Sequence, residues 1–227
     1  IGVSYPYILT PQTTLTLEGW LEAADYQQTM LGEKISEDQI RKIRLGLNLD
    51  RQDASGRTFF GLALHQGLGE FLGGMANDSE FASRLGASNE FTKVSAELVR
   101  LQRLTEQLFL IGRVSAQASL DSLVSGEQLS IGGADSVRGH PQSAYLGDQG
   151  LLLSLEARYS LLPGTDRYQL ACFIDHGQIF IKEAGVGQDD SQEITGVGVG
   201  ARVNLFDKLP IRLDIGVPVG DKTDDDV

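Results

Sequence analysis

The chain has one cysteine, Cys172, so no intramolecular disulfide framework is possible. It has little proline, 6 residues in 227, and little aromatic surface, 7% with a single tryptophan. Positive charge is also short: 19 Lys and Arg stand against 31 Asp and Glu, a formal net charge of −12. That balance argues against nucleic-acid binding, which needs clustered cations to neutralise phosphates. No window approaches the roughly 18 uninterrupted apolar residues of a membrane helix, which excludes a helical membrane protein. It does not exclude a membrane β-barrel, whose strands alternate apolar and polar and look only mildly hydrophobic. The hydrophobic share of 41% fits that description. The length suits one large β domain or one barrel. The chain begins at Ile1 without a signal-peptide pattern and stops in Asp224-Asp225-Asp226-Val227. We read residues 1–227 as a barrel domain incomplete at both ends.

What is present is period-2 alternation, repeated along the chain. Leu151, Leu153, Leu155, Ala157 and Tyr159 share a phase opposite Gly150, Ser154, Glu156 and Arg158. Val197, Val199, Ala201, Val203 and Leu205 oppose Gly196, Gly198, Gly200, Arg202 and Asn204. Ile211, Leu213, Ile215 and Val217 oppose Arg212, Asp214 and Gly216. Similar runs surround Leu45, Leu47 and Val114. Many approach the roughly 9–11 residues that a tilted strand needs to cross a bilayer.

The connections sort by length. Residues 9–12, 51–57, 103–107, 163–167 and 206–210 read as short turns. Residues 27–38, 71–90, 122–149 and 182–193 read as long loops, and the two kinds alternate strictly. Outer-membrane barrels have this pattern, with short periplasmic turns and longer outer loops. Acidic residues gather on the long side: Glu33, Glu37 and Asp38, then Asp78, Glu80 and Glu90, then Asp189, Asp190 and Glu193. Their simplest reading is solvated loop charge. The expected fold is therefore an all-β, antiparallel transmembrane barrel, with about ten strands over residues 1–220.

The most distinctive stretch lies in the longest loop: Gly132-Gly133-Ala134-Asp135-Ser136-Val137-Arg138-Gly139-His140. Gly147-Asp148-Gln149-Gly150 follows, then the strand carrying Glu156, then Phe173-Ile174-Asp175-His176-Gly177. With the opening Ser4-Tyr5-Pro6-Tyr7 and Pro11-Gln12-Thr13-Thr14-Leu15, these motifs resemble the outer-membrane transporters of two-partner secretion, the hemolysin activation/secretion type. More broadly they resemble the superfamily that includes the barrel-assembly protein BamA. The family pattern is a Gly-Gly, a Ser-Val-Arg-Gly-aromatic tip, a strand with a glutamate, and a later Phe-x-Asp-x-Gly. His140 departs from it, standing where Tyr or Phe is usual.

Alternation places Glu156 and Asp175 on the polar faces of neighbouring strands. A hairpin about the 163–167 turn sets them opposite or diagonal to each other. Two confined carboxylates repel unless a cation joins them, and an arginine fork suits both at once. The resemblance implies that the long loop folds back into the barrel so that Arg138 is this cation. Gly132, Gly133 and Gly139 permit a tight tip.

Other readings of these residues are weaker. Ser136, His140 and Asp175 lack the Gly-x-Ser-x-Gly elbow of a hydrolase. Gly196-Val197-Gly198-Val199-Gly200 mimics a nucleotide loop but lacks the Gly-Lys-Ser/Thr and falls mid-strand. His65 and His176 have no metal-ligand spacing. Cys172 falls in the apolar phase, and Trp20 and the tyrosines suit interfacial girdles.

The resemblance implies a barrel of roughly sixteen strands behind periplasmic POTRA domains, with residues 1–227 supplying about ten of them. It implies an outer-membrane pore that exports an unfolded partner protein, in contact with the lipid bilayer. It implies no enzyme activity, catalytic residue, cofactor, metal or small-molecule substrate. A BamA-like insertase and a passive diffusion porin are the alternatives.

Overall fold

A computed structural model describes residues 1–77, 79–185, 187, 189–206 and 208–220. Asp78 and the acidic tail 221–227 lie outside the described residues. Ten strands form one antiparallel sheet: β1 (Gly2–Leu9), β2 (Thr13–Met30), β3 (Glu33–Asp53), β4 (Gly56–Gly67), β5 (Thr92–Arg103), β6 (Leu108–Ser119), β9 (Gln149–Ser160), β10 (Tyr168–Phe180), β11 (Ser191–Leu205) and β12 (Leu209–Val219). Each strand neighbours the next in sequence, except that β6 pairs β9. The intervening β7 (Leu129–Ile131) and β8 (Tyr145–Gly147) make a separate two-stranded ribbon inside the long loop. Among the described residues β1 and β12 pair only inward and not with each other, so the ten-stranded sheet is open. Among the described residues no helix is long and apolar enough to cross a membrane.

The pleat gives each face its chemistry. On β9, Leu151, Leu153, Leu155 and Tyr159 are exposed, while Glu156 and Ser160 between them are buried. On β10, Leu170, Cys172 and Ile174 alternate with buried Ala171, Phe173 and Asp175. Leu62, Leu64, Val199, Leu213, Ile215 and Val217 continue the exposed apolar face. A water-soluble sheet would bury that stripe. Here the outer face carries it, and polar residues line the inner face, as in a barrel whose solvent on one side is lipid.

The apolar cores sit where loops fold onto the inner face, not under the sheet. Ile40 gathers Met75, Ala87 and Phe91 of the β4–β5 segment with Leu123 and Val124 of the long loop. Ile131 and Val137 pack on Ile179 and Ile194.

Three expectations need correction. Residues 27–38 are no loop: β2 and β3 run 18 and 21 residues and meet at Leu31-Gly32, both in the left-handed region. At roughly 3.3 Å per residue β2 is about 60 Å long, well beyond a bilayer's apolar core. Strand pairing continues there because a ladder satisfies its own backbone groups in water as well as in lipid. Asp38 is not solvated loop charge either; it is buried and accepts a bond from the Ser83 backbone N–H at 2.9 Å. Trp20 does not sit in an outer girdle. It shares the inner phase with Glu18, to whose carboxylate its indole N–H donates at 3.3 Å, and Arg44 lies over its ring.

Candidate functional site

Register explains how the site is assembled. Glu156 faces Phe173, Phe173 faces Gly198, and Gly198 faces Gly216. One row over, Ser154 faces Asp175, which faces Gly196. Glu156 and Asp175 are thus diagonal neighbours on the inner face. Beside them, β11 and β12 present glycines where side chains would stand.

The tip of the long loop occupies that space. The Arg138 guanidinium donates from Nε to Asp175 Oδ2 at 2.6 Å and from Nη2 to Asp175 Oδ1 at 2.9 Å. Its Nη1 donates to Glu156 Oε2. The Arg138 backbone N–H adds a bond to Asp175 at 3.2 Å, and the guanidinium lies over the Phe173 ring, 3.4 Å from its centroid. Arg138, Glu156 and Asp175 are all buried. A planar fork matches this two-carboxylate target, whereas an ammonium would engage one oxygen at a time.

The pair is embedded in a larger ionic chain. Glu156 Oε1 accepts from Arg158 at 2.6 Å and from Arg202 at 3.0 Å. Arg202 also holds Asp214 at 2.6 Å, and Asp214 accepts from Arg212 at 2.6 Å. Arg212 returns to the loop, donating to the Ala134 carbonyl at 2.9 Å. Ser154 Oγ completes the shell of Asp175 at 2.7 Å. Buried charges are tolerated when each is matched and hydrogen-bonded in this way.

Glycine is required at two contacts. A Cβ at Gly196 would fall 1.8 Å from the Arg138 carbonyl oxygen, and one at Gly139 would fall 2.8 Å from the Val217 backbone. Gly139 also has a φ of +97°. The tip backbone therefore lies directly on β11 and β12.

The remaining motif residues shape the tip. Gly132 and Gly133 have φ of +99° and +104°. Val137 packs into the apolar cluster with Ile131, Ile179 and Ile194. The His140 ring meets the Thr195 carbonyl at 2.9 Å, so the imidazole fills the aromatic position and adds a polar tie. The Ser136 hydroxyl has no hydrogen-bond partner among the described residues. Asp175 is committed to Arg138 and Ser154, which leaves no hydrolase arrangement. Among the described residues no cluster of His, Cys, Asp and Glu could hold a metal ion.

The sequence reading missed Phe173 as the floor under Arg138, and the Arg202–Asp214 arm. It placed Gly196 mid-strand, opposite the apolar phase, and gave it no contact. The alternating phases put Arg202 and Asp214 on the inner face, so their side was legible although their partners were not.

A family model for haemolysin secretion/activation proteins, ShlB/FhaC/HecB, matches residues 3–203. Among solved structures, the chain is similar to CdiB from Escherichia coli, with a TM-score of 0.77 and 19% identity over 96% of this chain and 40% of that one. CdiB from Acinetobacter baumannii gives 0.75 and 17%, covering 96% and 37%. BamA from Haemophilus ducreyi lacking POTRA domains 1-3 gives 0.53 and 10%, covering 97% and 58%. The chain thus spans about two fifths of the length of the CdiB structures. No curated protein matches it in sequence. With the family model covering most of its length, the chain belongs to the ShlB/FhaC/HecB haemolysin secretion/activation family of outer-membrane β-barrel proteins.

Proposed function

We propose that the protein exports an unfolded partner polypeptide across the outer membrane, and that Arg138 latches the long loop against the inner wall through Glu156 and Asp175. Further strands would complete the barrel, and POTRA domains would capture the cargo on the periplasmic side. The observation that carries the reading is the complete engagement of Arg138: its backbone N–H and three guanidinium nitrogens all meet two buried carboxylates. A passive porin has no need of such a latch. A BamA-like insertase fits the fold, but the likeness to BamA is weaker than that to CdiB, and the family match favours secretion. The reading needs no cofactor or small-molecule substrate.

The test is Arg138→Ala in the full-length transporter. Strand stability comes from the backbone ladder and the lipid-facing stripe, so the variant should insert normally. Secreted partner per folded barrel should fall by about tenfold or more, since losing one side of a buried ion pair costs a few kcal/mol even after discounting for a wet lumen. Arg138→Lys should recover only part. Glu156→Gln and Asp175→Asn should weaken export, and combining either with Arg138→Ala should add little, because all act through one contact. Normal export by Arg138→Ala would remove the latch from the mechanism.

A further inference from the structure

The long loop touches the sheet at a second place, far from its tip. Glu127, in a single 3-10 turn before β7, is buried at 4% exposure, an unusual position for a loop glutamate. Its carboxylate receives Lys42 of β3 at 2.6 Å on Oε1 and Lys93 of β5 at 2.8 Å on Oε2. Lys93 also donates to the Glu127 carbonyl at 2.7 Å, and Gln117 of β6 donates to the same carbonyl at 3.1 Å. Glu22 of β2 stands 3.5 Å from Lys42. Three strands therefore contribute polar groups to one turn of the loop, and β2 reaches it indirectly through Lys42. The tip, by contrast, is held by β9, β10, β11 and β12.

We infer that Glu127, Lys42 and Lys93 form a second ionic clamp, independent of Arg138, so that the long loop is tied at its root to one part of the sheet and at its tip to another. The chemistry of the joint distinguishes it from simple packing. Leu123 and Val124, just upstream, already bury the loop root in an apolar cluster, so cohesion does not require charges there. Two lysines on one buried carboxylate form a joint whose strength depends on dryness. Sealed from water it is firm; once water enters, each pair contributes no more than an exposed salt bridge, about 1 kcal/mol or less. Such a joint can open without a large barrier and close again when the mouth dries. Glu127 is the carboxylate that both lysines share, so its amide analogue removes the charge facing Lys42 and Lys93 in one step. In export, a role for the clamp rests on the transporter reading above; its geometry does not.

The experiment uses the full-length protein in cells, with Cys172→Ser as background and single cysteines at Ser130 or Ser136. Ser130 lies on β7 near Glu127, and Ser136 lies beside Arg138. A membrane-impermeant maleimide reports how freely each site is reached from outside. Glu127→Gln should raise labelling at position 130 about tenfold, a shift of roughly 1.4 kcal/mol, and leave position 136 nearly unchanged. Arg138→Ala should do the reverse. Glu127→Asp, which keeps the charge but shortens the reach, should give an intermediate rate at 130, and it decides the matter if Glu127→Gln fails to insert. Unchanged labelling at 130 in both Glu127 variants would overturn the clamp. So would a joint rise at 130 and 136 in either Glu127→Gln or Arg138→Ala, because the two anchors would then be one. Normal secretion by Arg138→Ala with the expected labelling pattern would count against the transport role alone.

Discussion

Two long connections of this sheet solve the same backbone problem in opposite ways. The β2–β3 connection continues as paired strands past the membrane and turns in two residues, Leu31 and Gly32. The β6–β9 connection leaves the ladder after Ser119 and lies against the inner wall. In the first, most backbone groups pair across the ribbon, with one register shift at Gln28/Thr29, so side chains are free to be polar and exposed. In the second, wall side chains do much of the work. Asp148, fully buried, accepts from Arg84, the Leu123 backbone N–H and the Lys182 backbone N–H, joining three connections at one carboxylate. Asp175 does the same for the tip. The projecting ribbon is held mainly by its own ladder, with the β4–β5 segment touching its base at Lys34, Glu37 and Asp38, whereas an inward loop depends on residues far away in sequence. Substitutions in the wall should therefore disturb the loop and spare the ribbon.

The largest effect should come from Gly196→Val, because its Cβ alone would fall 1.8 Å from the Arg138 carbonyl oxygen and neither backbone can move aside. β11 tolerates valine by propensity, so the ladder should persist. Export should drop to the level of Arg138→Ala while heat-modifiable migration on gels stays intact. Export near wild type would mean that the tip is not seated on β11 when it works.

A smaller, graded effect is expected from acid. Burial of Glu127 favours its neutral form, but Lys93 and Lys42 outweigh it and hold the carboxyl below the usual glutamate range. A carboxylate with a depressed folded-state value contributes stability above its ordinary value and loses it as pH falls through the depressed one. Protection of residues near Glu127 from hydrogen exchange should therefore decline below the ordinary glutamate range. The decline should be shallower in Glu127→Gln, which has no proton to take up. The β2–β3 ribbon should show no matching step. Equal pH dependence in the two proteins would detach the effect from Glu127.

The smallest effect belongs to the ribbon tip. Gly32 has a φ of +89° and open space around it, so Gly32→Ala meets no neighbour. It should cost about 1 kcal/mol of local backbone strain, visible as fraying of Met30 and Glu33 in exchange, with export unchanged. A marked export defect would give the ribbon tip a role that its self-contained ladder does not suggest.

Much of this architecture was legible from alternation. The phases of β9 and β10 put Glu156 and Asp175 on one face, and the short 163–167 turn made them diagonal neighbours. Arg138 entered through its motif, not through spacing. The inner-face anchors were harder to see. Glu127, Asp148 and Asp38 look like ordinary loop carboxylates in one dimension, since burial by a distant loop leaves no periodic trace. Residues 27–38 were misread for a related reason. Above the membrane both faces of a strand meet water or loops, so the apolar–polar alternation that marks a strand fades there although the ladder continues.

The seating of Gly139 on Gly216 and Val217 carries a consequence for assembly. The surface that receives the tip backbone belongs to β11 and β12, which follow the loop in sequence. Before β11 and β12 join, the carboxylates of β9 and β10 can already receive Arg138, but the tip backbone has no glycine floor to lie on. Full seating of the tip therefore requires that β11 and β12 have paired. A barrel in which β12 has not paired should therefore hold its tip loosely, however well its earlier strands have paired.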